Sequence, residues 1–83
     1  MKINLRYFAS IREQISLSQE EIETSASNLH ELQQELIARG EPYAQALGSG
    51  KAVRMALNQQ VCDSDAALSP NAEVAFFPPV TGG

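Results

Sequence analysis

The stretch Asn28-Leu29-His30-Glu31-Leu32-Gln33-Gln34-Glu35-Leu36-Ile37-Ala38-Arg39-Gly40 decides the fold. Leu29, Leu32 and Leu36 recur at helical spacing with Ile37 beside them, so one face of a helix is apolar. Asn28 is a good N-cap, because its side-chain oxygen can accept from the free N–H groups of the first turn. Glu31, three residues on, completes a capping-box pattern. Arg39 falls in the last turn, and Gly40 followed by Pro42 stops the helix. Tyr43 to Leu47 can add another helical turn, and Gly48-Ser49-Gly50 reads as a flexible loop.

On either side of the helix the period changes to two. Upstream, Ile3, Leu5 and Tyr7 alternate with Lys2, Asn4, Arg6 and Phe8, the pattern of a half-buried strand. Ala9 to Ile15 is short and ambiguous, and reads as a helical turn. Ser18 to Thr24 forms a second, edge-like strand anchored by Ile22, its glutamates being poor strand formers. Downstream, Val53, Met55 and Leu57 alternate with Arg54 and Ala56 in a third strand. Asn58-Gln59 is a tight turn, and Gln60 to Cys62 pairs back as a short fourth strand. Asp63 to Asn71 is a loop plugged by Leu68. Glu73 to Phe77 is the last strand, ended by Pro78 and Pro79, which cannot donate to a ladder. The order is strand, strand, helix, strand, strand, strand. A single amphipathic helix in so small a chain must cover one face of one sheet. The fold class is therefore α+β, a β-grasp (ubiquitin-like) mixed sheet of four to five strands under one main helix. Residues 1–83 form a single domain, with 78–83 as its tail.

Composition excludes several classes of function. Hydrophobic residues make up 43% of the 83, enough for a packed core. The net charge is −4, and the six basic residues are scattered, so no phosphate-binding cluster forms. Nucleic acid is thus not an expected partner. Cys62 is the lone cysteine, so no internal disulfide staples the domain. With no apolar run long enough for a signal sequence or a membrane span, the expected location is the cytoplasm, away from membranes.

The segment Glu73-Val74-Ala75-Phe76-Phe77-Pro78-Pro79-Val80-Thr81-Gly82-Gly83 closely resembles the C-terminal signature of the small subunit of molybdopterin synthase, the MoaD family. Length, Phe8-Ala9 followed by Arg12-Glu13, and Leu57-Asn58-Gln59 extend the resemblance over nearly the whole chain. The resemblance implies a sulfur carrier. A ubiquitin-activating-type enzyme would use ATP to adenylate Gly83, and a sulfur-donating protein would convert the acyl-adenylate to a thiocarboxylate. The large subunit, in a heterotetramer, would receive the tail and pass the sulfur to a pterin precursor, building the dithiolene of the molybdenum cofactor. The chain would be the non-autonomous, sulfur-donating half of a sulfurtransferase, with no cofactor of its own.

The tail suits that chemistry on physical grounds. A free C-terminal carboxylate is ionised at neutral pH and is a poor electrophile until adenylation supplies a leaving group. The tail must enter two different active sites, so Gly82 and Gly83, lacking a Cβ, keep it thin. Pro78 and Pro79 stiffen its exit. In a β-grasp the first and last strands pair at the centre of the sheet. Their alternation puts Phe8 and Phe77 on the face the helix leaves uncovered, near the base of the tail. An aromatic patch rimmed by polar residues marks an interface, so Phe8 and Phe77 are expected to dock the protein that receives the tail. Pro78, Pro79, Val80 and Thr81 would line its channel, and Lys51 would contact the channel.

Other signals are weaker. Cys62 reads as a small buried hydrophobe, with no His or second Cys nearby in sequence to activate it. His30 and Cys62 give no metal-ligand spacing. Gly48-Ser49-Gly50-Lys51 lacks the first glycine of a phosphate loop, where Gln45 stands, and Ala52 replaces its Ser/Thr. Glu20, Glu21 and Glu23 read as a solvated edge. A carrier for another pathway such as thiamine synthesis, a protein modifier joined through Gly83, and an inert ubiquitin-like interaction module remain as alternatives.

Overall fold

The computed structural model describes residues 1–48 and 52–79. Its strands are β1 (Lys2–Tyr7), β2 (Gln19–Glu23), β3 (Arg54–Leu57), β4 (Gln60–Val61) and β5 (Glu73–Phe77). The helices are α1 (Ala9–Ile15), α2 (Leu29–Ala38) and α3 (Tyr43–Leu47). Among the described residues the sheet has five strands in the order β2-β1-β5-β3-β4. β1 and β5 run parallel at its centre, and the remaining pairs are antiparallel. This is the β-grasp arrangement expected from the element order.

Strand alternation sorts the side chains as the period-two pattern requires. Ile3, Leu5 and Tyr7 from β1, and Val74 and Phe76 from β5, are buried on the inner face. α2 lays Leu29, Leu32 and Leu36 against them, each with no exposed surface. Burying side chains of this size is worth roughly 2 kcal/mol each. The Asn28 side chain accepts from the Glu31 N–H at 2.8 Å, as the N-cap reading requires. The capping box differs by one residue. Glu31 turns back to the N–H and hydroxyl of Ser27, both at 2.8 Å, rather than to Asn28. Those donors hold the Glu31 carboxyl below its usual range. Gly40, at φ 90, follows the helix in the left-handed conformation a helix end favours.

The segment read as a helical turn is a seven-residue helix. Ile11 and Ile15 stand one turn apart on its inner face and are buried, so tertiary packing extends a weak local preference. α3 packs beside α2 and α1 through Ala46 and Leu47. The Asn58-Gln59 turn carries φ 50 and 72 at its two central residues. Positive φ at both positions twists the loop to match the β3–β4 hairpin. Asn58 also binds both backbone groups of Glu73, through N–H to O at 2.8 Å and Oδ1 from N–H at 3.0 Å. The turn is thereby fastened to the start of β5.

The glutamates of β2 are not a uniform solvated edge. Glu21 and Glu23 face outward, but Glu20 shares the inner side with Ile22, because it stands opposite Leu5. Its Oε2 accepts from the Tyr7 hydroxyl at 2.8 Å and the Tyr43 hydroxyl at 2.7 Å, while Arg39 approaches Oε1 at 3.9 Å. One carboxylate therefore ties β1, β2, α3 and the end of α2. Among the described residues no buried side-chain polar atom lacks a partner.

Candidate functional site

The uncovered face is built by the central strands. The register sets Tyr7 level with Phe76 and Met55, and Phe77 level with Arg54. Tyr7 and Phe76 point inward and stack, their ring centroids 6.1 Å apart and 18° from parallel. The next residue on each strand must therefore emerge on the other side. Phe8 is extended (φ −126, ψ 153) and continues β1, its N–H donating to the Phe76 carbonyl at 3.1 Å. That places Phe8 beside Phe77 at the end of the sheet where β5 runs out. Phe8 is 41% exposed and Phe77 is half-buried, so α1 does not cover them. Both aromatic residues thus lie on the uncovered face, as the alternation predicts. Pro78 and Pro79 follow directly and are half-buried.

The register adds residues that the sequence reading missed. Arg6, Ala75, Ala56 and Val61 stand in one row across β1, β5, β3 and β4. Val61 is 67% exposed, whereas Ala56 and Ala75, although on the outer side, are buried. The two-residue turn was the available signal for Val61, since it dictates that Val61 oppose Ala56. Arg6 holds its guanidinium carbon 5.8 Å from the centre of the Phe8 ring, a cation–π geometry. Arg54 flanks Phe77 from the other side. Open grooves lie beside the patch, one along Asn4, Arg6, Gln19 and Glu21, the other along Arg54, Val61, Cys62 and Asp65.

Lys51, Val80, Thr81, Gly82 and Gly83 lie outside the described residues. Cys62 is half-buried against the core, its thiol 3.2 Å from the Gln60 carbonyl it donates to. It follows the short β4, which ends at Val61 rather than Cys62. His30 is exposed. No group of three His, Cys, Asp or Glu side chains converges to hold a metal among the described residues. No helix among them is long and apolar enough to cross a membrane. The described part of the site is thus an exposed surface, apolar at its centre and placed where the last strand leaves the sheet.

Known proteins share both the sequence and this framework. The chain is 37% identical over 81 residues to the molybdopterin synthase sulfur carrier subunit of Escherichia coli, covering 98% of this chain and 99% of that one. It is 35% identical to the same subunit of Haemophilus influenzae, with the same coverage of both chains. In solved structures it matches a chain from the complex of subunits 1 and 2 of the molybdopterin-converting factor of Helicobacter pylori, at 27% identity and TM-score 0.70 over the full length of both. The ThiS family profile spans residues 5–83, from within the central strand β1 to the final glycine. The chain belongs to the ThiS family.

Proposed function

We propose that this chain is the sulfur-carrier subunit of a molybdopterin synthase. The observation that carries the reading is the end-to-end likeness to two such subunits, with 98% of this chain aligned in each. In this role Gly83 is the reacting residue. Its carboxylate is adenylated with ATP by a ubiquitin-activating-type enzyme, and a sulfur donor displaces AMP to leave a thiocarboxylate. Gly82 keeps the approach to that carbon free of side chains. Phe8 and Phe77 seat the large subunit, Pro78 and Pro79 direct the tail toward it, and Val80, Thr81 and Lys51 line or meet its channel. The sulfur then passes to the pterin precursor in the large subunit of a heterotetramer. A lone, unpaired Cys62 agrees with work in the reducing cytoplasm.

The test is intact mass after co-expression with the activating enzyme, before and after thiol alkylation, followed by mapping of the adduct. The expected result is an oxygen-to-sulfur gain, with alkylation at Gly83 as well as at Cys62. Deleting Gly82 and Gly83 should remove that gain and leave the fold intact. An unmodified carboxylate in the presence of demonstrably active activating enzyme overturns the reading. A carrier for thiamine synthesis would show the same gain but form no complex with a molybdopterin synthase large subunit.

A further inference from the structure

Charge on the uncovered face is divided along the strands. At the end where β5 leaves the sheet stand Phe8 and Phe77, with Arg6 on one side and Arg54 on the other. Both guanidinium groups belong to exposed residues. Among the described residues neither has a carboxylate within 4 Å, whereas Lys2 pairs with Glu21 and Arg39 with Glu20. The carboxylates that share this face, Glu21, Glu23 and Glu73, lie further down the strands, level with Asn4 and Lys2. Asp63 and Asp65 line the same groove as Arg54 but form no ion pair within 4 Å of its guanidinium group. A chain of net charge −4 therefore keeps, among the described residues, two arginines with no carboxylate partner on its apolar patch.

We infer that Arg6 and Arg54 select the large subunit by pairing with carboxylates that rim its tail channel. This rests on the carrier reading above and adds the chemistry of the partner's surface: an apolar centre for Phe8, Phe77 and Val61 between two acidic positions. The guanidinium group suits the role, because its planar fork matches a carboxylate with paired hydrogen bonds and it sheds water more readily than an ammonium. Such pairs at the border of an interface speed encounter and fix its orientation more than they deepen affinity. The separation of charge along the face also gives direction. A partner with acidic groups at the channel mouth is drawn to the tail end and repelled by Glu21, Glu23 and Glu73 at the other.

The test compares the full-length wild-type chain, the pair Arg6→Gln with Arg54→Gln, and the pair Arg6→Lys with Arg54→Lys. Each is titrated against the large subunit from the same genome at low and high ionic strength, with melting temperature as a check on folding. Removing both charges should weaken binding about tenfold at low salt, chiefly through the association rate, and flatten its salt dependence. The lysine pair should keep the salt dependence. Equal affinity and equal salt dependence for the wild type and the glutamine pair overturn this inference and leave the carrier reading standing. A wild-type chain that forms no complex with the large subunit overturns both.

Discussion

Two single positions show how backbone demands outrank side-chain preference. Gln59 sits at φ 72 in the β3–β4 turn, a conformation that costs a side-chain-bearing residue about 1 kcal/mol. Replacing Gln59→Gly relieves that strain at a position where the side chain is exposed. The expected result is stabilisation by roughly 0.5 kcal/mol, offset in part by a freer unfolded chain, read from denaturant midpoints. Gly48 presents the reverse case. Its φ of −79 suits any residue, but an added Cβ would run into the carbonyl oxygen of Ala44 in α3. Gly48→Ala must push the helix end aside and should destabilise by about 1–3 kcal/mol, the range for forced overpacking.

At the scale of elements, the Glu20 cluster fastens the edge strand and two helices to the centre of the sheet. The Tyr7 phenol is held in its neutral form, raised well above its ordinary value of 10.0, first by burial and then by the Glu20 carboxylate. Tyr43 is shifted the same way, again by burial and then by Glu20. A phenol whose folded pKa is raised binds its proton more tightly in the native state. Its contribution is complete below the unfolded pKa near 10 and is lost as pH rises beyond it. Denaturation free energy should therefore fall steeply above about pH 10. Tyr7→Phe should make that fall shallower while costing about 1 kcal/mol at neutral pH. An equal alkaline slope in the variant would remove Tyr7 from the account.

At the scale of the whole molecule, one packed core positions the surface proposed to dock the large subunit. One core of inward-facing strand residues and α2 leucines holds the parallel β1–β5 pair, and that pair presents Phe8 and Phe77 together. Truncating Phe77→Ala removes a half-buried ring from the outer face and leaves the inner core untouched. Affinity for the large subunit, measured by titration calorimetry, should drop about tenfold or more, as for an aromatic anchor at an interface. The melting temperature should change by only a few degrees.

Much of this was legible in the sequence because local pattern and global packing agree. The heptad-like leucines of α2, the alternation of β1 and β5 and the Asn58-Gln59 turn each report a period or a dihedral that the chain itself imposes. Gly82-Gly83 and the segment before it likewise carried the functional assignment without coordinates. What the sequence alone could not determine depends on which strands are neighbours. The inward turn of Glu20 requires knowing that it stands opposite Leu5. The row Arg6-Ala75-Ala56-Val61, and the two arginines that flank Phe8 and Phe77, exist only once β5 lies between β1 and β3. Spacing along one chain carries the periodicity of each element, but register between chain segments is set by the hydrogen-bond ladder and the shared core. Only the tertiary structure could decide it.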